Sequence, residues 1–255
     1  MLSGTLGEGL VAALRARTLE GDAAGDARRV IVHGLGTPPG EPDAPGASNA
    51  GIVGPAVELL ERVVQGVAAR VVLVSDLDVL GRAIRLPMDE AHPLAPLDEA
   101  AAARAAVEHI ARAYVARGCD LVIVRASTVA GPGVVGELAT WAGSPAGSHI
   151  AVEDGVARVD VVDVRDLAAG VLVVGAAGVA GGTYHLCSGR AITRAALFAQ
   201  LAPTCVALPS ATKARPPVVV GDASRAEALG WRRIFTLEDT LRAMVKPDGA
   251  SGPDP

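Results

Sequence analysis

Val71–Gly81 reads VVLVSDLDVLG: four apolar residues, then Asp76 and Asp78 in a short polar step that closes on glycine. A run of four β-branched or leucine residues is too short for a helix. With polar residues bounding it, the run reads as a strand buried on both faces. Working outward, Val30–His33 (VIVH) and Leu121–Val124 (LVIV) have the same character, and Val159–Val164 (VDVVDV) alternates like a more exposed strand. Helical patterns lie between them: Gly7–Arg17, Gly51–Gly66 and Leu97–Arg117, then Leu167–Gly178 and Arg194–Leu201. The third is rich in strong helix formers and has a glycine just past its end. Buried strands alternating with helices predict parallel βαβ units and an α/β fold with a doubly wound sheet. Beyond about residue 130 the texture changes. Gly131–Ser148 and Pro203–Pro217 read as loops. The expected organisation is a core over residues 1–130, completed by about 159–180, with a smaller substrate lobe from 131–158 and 181–246. Residues 247–255 are expected to be a disordered tail.

Composition narrows the function classes. Half of the 255 residues are hydrophobic while aromatics are only 2%, so small branched side chains must fill the core. A net charge of −5, with acids and bases interspersed, leaves no basic face for nucleic acid. No apolar run approaches the roughly 18 residues that suggest a membrane span, and no leader pattern opens the chain, so a cytoplasmic protein is expected. Cys119, Cys187 and Cys205 are widely spaced without a CxxC, as expected of small hydrophobes in a reducing compartment.

Several segments, in order, resemble the extended short-chain dehydrogenase/reductase family, which contains nucleotide-sugar epimerases and dehydratases. They are Val30–Gly34 with Asn49 after it, Val71–Gly81, Met88–Pro96 (MDEAHPLAP), and Ile123–Gly133 (IVRASTVAGPG). Val159–Val171, Gly181–Gly189 (GGTYHLCSG) and Ala223–Trp231 (ASRAEALGW) follow. The resemblance implies a Rossmann-like fold with a shortened N-terminal half and a small C-terminal substrate lobe. It also implies a homodimer through the helices at 51–66 and 97–117, whose Ala-rich faces allow close packing. Asp163 matches a position that tethers the two lobes.

The departures from the family pattern bear on activity. The family's catalytic Tyr and Lys lie four residues apart early in the long helix. Here Ala100 and Arg104 hold those places. Alanine donates no proton, and arginine is permanently charged. The only tyrosines, Tyr114 and Tyr184, have no lysine four residues on. A dinucleotide site needs a strand, a glycine-rich turn and a helix N-terminus, then an acid for the ribose. Gly4, Gly7 and Gly9 open a helix, but only Met1–Ser3 precede them, and Asp22 in Leu19–Asp22 is the available acid. The 29 residues before Val30 are too few for the family's usual three strands and two helices. The expectation is therefore that no cofactor is used, with NAD(P) as the alternative.

In parallel sheets the ligand crevice lies at the carboxyl ends of the strands. There Asp76 stands where the family has Ser or Thr, and Asp78 where its dehydratases carry a carboxylate. Two crowded carboxylates can separate their pKa values into an acid and a base, with Arg104 as a fixed cation. The alternative is that Asp76 merely caps the loop while Asp78 pairs with Arg82 or Arg104. Ser75, Arg125, Ser127, Thr128 and His33 are candidate substrate contacts, although Arg125 is equally a wall residue and His33 structural. Three functions remain open for a small-molecule substrate. The expected one is an enzyme that has lost redox catalysis and carries out isomerisation, dehydration or cyclisation by acid–base chemistry, for instance in natural-product metabolism, the other two being alternatives. Another is a divergent NAD(P)-dependent epimerase or reductase, and the third is a non-catalytic binding protein. No set of residues has metal-ligand spacing.

Overall fold

The computed structural model describes residues 2–5, 10–14, 30–35, 49–66, 69–209 and 218–245. Its centre is a five-stranded parallel sheet in the order β1 (Leu2–Thr5), β2 (Val30–Leu35), β3 (Arg70–Asp76), β4 (Leu121–Ala126) and β8 (Thr183–Leu186). Every residue from Arg70 to Ser75 is buried, as is all of β4, so both faces of the middle strands are covered. One face packs against helices α1 (Gly54–Val64) and α2 (Glu99–Ala116), through Ala56, Leu60, Ala103, Val107 and Ala111. The opposite face packs against α4 (Val164–Ala177) through Leu167, Val171 and Val174, together with Leu10 and Leu14 of the helical residues 10–14. Helices on both faces of a parallel sheet make the fold Rossmann-like, as the apolar runs predict.

The N-terminal reading changes. The glycine-bearing strand is present: Leu2–Thr5 lies parallel to β2, Gly4 opposite Gly34. LSGT has no apolar run to betray it, because its register against β2 rather than its own pattern makes it a strand. Among the described residues no strand lies outside β1. Gly7, Gly9, Asp22 and the tail 247–255 lie outside the described residues.

The smaller lobe has its own core, built by Leu138, Trp141, Val152, Leu197, Phe198, Leu201 and Leu241. It holds a sheet of β5 (Thr128–Ala130), β7 (Arg158–Asp163) and β9 (Ala191–Thr193), and a parallel pair of β6 (His149–Val152) and β10 (Val206–Pro209). Helix α3 (Glu137–Ala142) sits inside the stretch expected as loop, where flanking Gly and Pro residues mask one and a half turns. Helix α5 (Arg194–Leu201) is as predicted. Helix α4 begins earlier than predicted because Asp163 caps it: Oδ1 accepts from Arg165 N at 2.8 Å. The same carboxylate accepts from Thr240 Oγ1 at 2.8 Å, tying the core to α7 (Leu237–Met244). The short helix α6 (Ser224–Ala228) precedes Trp231, whose Nε1 donates to Asp166 O at 2.9 Å.

Candidate active site at the carboxyl end of the central strands

Strand β3 ends on Asp76, and the chain turns at once into a 3-10 turn, Leu77–Leu80. Leu77, Val79 and Leu80 anchor the turn in the core, which leaves Asp78 on its open side. Asp76 Oδ1 accepts from Asp78 N at 3.0 Å, so the first aspartate caps the turn that carries the second. The pair does not share the face of an extended strand; the turn brings the two together. Gly81 closes the turn at φ 62°, and a Cβ there would lie 1.8 Å from the Ala95 carbonyl oxygen. Only glycine fits.

Helix α2 starts at Asp98, which accepts from Ala101 N at 2.8 Å, and so projects Arg104 from its second turn toward the strand ends. Arg104 Nη1 lies 2.8 Å from Asp78 Oδ2, and its Nε donates to Leu35 O at the end of β2 at 3.0 Å. The guanidinium thus spans two strand ends while staying 14% exposed. The Asp78 side chain is 38% exposed, yet its Oδ1 is buried and has no hydrogen-bond partner. Burial and the neighbouring Asp76 charge push the Asp78 carboxyl up to about 7, against the pull of Arg104. Burial also raises Asp76, again opposed by Arg104. Asp98 adds a third negative charge that raises both. Burial and mutual repulsion thus raise both carboxyls beside a fixed cation. Both structural readings of the sequence, the cap and the ion pair, are present in the same geometry.

The other candidates divide. Ser75 is buried beside Asp76, with no partner for its Oγ. Thr128 is half-buried at the start of β5, and Ser127 is buried beside the Asp160 carboxylate. His33 is buried within β2 opposite Leu73, and burial holds its pKa below the ordinary value. Arg125 cannot reach a substrate as placed. It is 1% exposed and bound to Glu108 through Nη2 at 2.7 Å and Nε at 3.1 Å. Its Nη1 lies 3.3 Å from His185 Nε2, and His185 Nδ1 lies 3.1 Å from Met88 O. That geometry fits a neutral ring protonated at Nδ1, and burial beside Arg125 depresses the His185 pKa to about 3. His92 is buried, its Nε2 accepting from Ile84 N at 3.1 Å. Neither tyrosine serves the site. Tyr114 OH donates to Glu61 between α1 and α2, and Tyr184 OH accepts from Val179 N at 2.9 Å.

The sequence reading missed two features. Asp98 is legible in hindsight as a helix cap before EAAAARAA. A pocket of the lobe, lined in part by Thr128, Trp141, Val159 and Arg194, has no sequence signal because four separate elements form it.

Similar structures share this architecture. RMD from Pseudomonas aeruginosa, complexed with NADPH, is 22% identical, with 96% of this chain and 95% of that chain covered at a TM-score of 0.77. UDP-glucose 4-epimerase from Thermotoga maritima, with UDP-glucose, is 20% identical over 92% of this chain and 80% of that chain, at 0.74. DesIV, a dTDP-glucose 4,6-dehydratase from Streptomyces venezuelae with NAD and TYD bound, is 25% identical over 92% of this chain and 75% of that chain, at 0.70. No curated protein gives a significant match. These likenesses overturn the expectation of a cofactor-free protein, since similar structures are complexes with NADPH or NAD. That expectation rests on the 29 residues before Val30, too few for the family's usual three strands and two helices; the glycine-bearing strand Leu2–Thr5 is nevertheless in place beside β2. Residues 30–187 match the profile of the NAD dependent epimerase/dehydratase family, and the chain belongs to that family.

Proposed function

We propose that the protein is a divergent NAD(P)-dependent epimerase, dehydratase or reductase of a small molecule, in which Asp76 and Asp78 replace the phenol that usually handles the proton. The observation that carries this reading is the Asp78–Arg104 pair at the carboxyl end of β3, where an α/β sheet places its ligand. The residues present fit a dinucleotide. Strand β1 carries Gly4 and leads into the helical residues 10–14, whose Leu10 and Leu14 are packed in the core. In a strand–turn–helix unit of a dinucleotide site the helix N-terminus faces the pyrophosphate.

NAD(P), when bound, supplies the hydride acceptor or donor. The chain's own groups do the rest. Asp78, with its carboxyl near 7, takes or returns the proton of a substrate hydroxyl, and Asp76 shares that proton. Arg104, fixed by Leu35 O, stabilises the oxygen as negative charge develops on it. Thr128, half-buried at the start of β5, is the proposed contact for a substrate hydroxyl, whereas Ser75 Oγ is buried away from it. A homodimer through α1 and α2 forms part of the same proposal, supported by the small exposed residues Ala102, Ala106 and Ala113 along α2.

Titration with NADPH and NADH, read by nicotinamide fluorescence, tests the reading. Saturable micromolar binding of one of them is expected, retained in Asp78→Asn. No saturable binding of either would overturn it.

A further inference from the structure

The small lobe contains a cavity whose lining begins two residues beyond the carboxyl end of β4. Its walls are Val129 of β5, Leu138 and Trp141 of α3, Val159 of β7 and Leu197 of α5, and Thr128 also lines it. The volume is about 180 Å³. Thr128 stands two residues, or about 7 Å of extended chain, beyond Ala126, the residue opposite Asp76 in the sheet. One ligand can therefore reach both places.

The charged groups at the cavity, Arg194 and Glu137, are already committed to each other. Arg194 Nη2 lies 2.5 Å from Glu137 Oε1, its Nε donates to Glu153 O at 2.9 Å, and its guanidinium sits 5.7 Å from the Trp141 ring centre. Trp141 in turn meets Phe198 edge-on. A diphosphate brought here would meet one cation already neutralised, together with the Glu137 carboxylate. Size gives the same answer. Pockets that enclose a drug-sized ligand run from about 300 to 1,000 Å³. An apolar cavity of roughly 150 Å³ takes up benzene.

Deepening the proposed function, on which it rests, we infer that this cavity takes a neutral, apolar, ring-sized group of the substrate. The substrate is then a hydroxy or oxo compound carrying an aryl or cycloalkyl group, rather than a nucleotide-linked sugar. Its oxygen-bearing carbon lies at Asp76 and Asp78, and its ring lies between Trp141 and Val159.

The test uses the full chain and 4-fluorobenzyl alcohol as probe, followed by fluorine NMR. Saturable binding is expected, weakened tenfold or more by Val159→Phe, which fills the cavity. Val135→Trp is the second variant: Val135 is 68% exposed at the cavity's rim, so its substitution leaves the core untouched. UDP and dTDP are expected not to displace the probe. No saturable probe binding, or binding unchanged in both variants, would overturn the inference, as would displacement by either nucleotide. NADPH titrated into the same samples separates the two ideas. NADPH binding without probe binding removes only the ring-sized pocket, and loss of both removes the proposed function as well.

Discussion

Asp78 Oδ2 lies 2.8 Å from Nη1 of Arg104, while the carboxyl's other oxygen is buried without a partner and Asp76 caps the turn beneath it. The ion pair is therefore half-made: one oxygen is neutralised, and the other is left to hold a proton. Because the folded-state pKa is raised, the fold binds this proton more tightly than the unfolded chain does. The contribution of this group to stability accordingly falls as pH rises from about 4 through about 7. Asp78→Asn should flatten the decline over that window in urea-unfolding curves. A slope equal to that of the wild type would assign the titration elsewhere.

Gly81 fixes the geometry of that turn. Gly81→Ala forces a side chain into a left-handed backbone and against the Ala95 carbonyl oxygen. A loss of at least about 2 kcal/mol is expected from denaturant titration. A variant as stable as the wild type would mean that the turn can relax, and that Asp78 is not rigidly placed.

The Glu108–Arg125 pair is fully buried, at 0% and 1% side-chain exposure. Glu108→Gln leaves the arginine charge uncompensated and should cost roughly 3–5 kcal/mol. The double variant Glu108→Leu/Arg125→Met should recover most of that. A double variant no better than the single one would show that the pair contributes net stability to the wall of the crevice.

His185 shows the opposite sign of linkage. Its pKa is held near 3, so the unfolded chain binds a proton that the fold refuses, and stability is lost as pH falls from about 6.5 toward 3. The loss attributable to this ring is at most roughly 4–5 kcal/mol. His185→Gln can still donate to Met88 O and accept from Arg125, and should unfold at a lower pH than the wild type. An unchanged acid midpoint would place the titration in other groups.

How much of this was legible follows from where each signal resides. VVLV, LVIV and the alanine-rich run after Asp98 encode their own burial or helicity, so the core and its order could be read directly. LSGT could not, because its strand identity comes from the register with VIVHGL. The Asp76–Asp78–Arg104 grouping was readable because a turn brings the aspartates together and the next helix supplies the arginine. Arg125 was readable as an arginine at a strand end, but not as half of a buried pair. Its partner lies 17 residues earlier, and only the packing of α2 on the sheet brings them together. The tyrosines could be excluded from the usual motif by spacing alone. That Tyr114 binds Glu61 and Tyr184 the Val179 amide needed the fold.

The most direct test of the acidic pair is carboxyl-carbon NMR on protein labelled at its aspartate side chains, titrated with and without saturating NADPH. One resonance should titrate near pH 7, disappear in Asp78→Asn, and shift when NADPH binds. If every aspartate instead titrates below about pH 5, as unperturbed carboxyls do, and none responds to NADPH, then Asp76 and Asp78 do not hold the proton and the account is wrong at its centre.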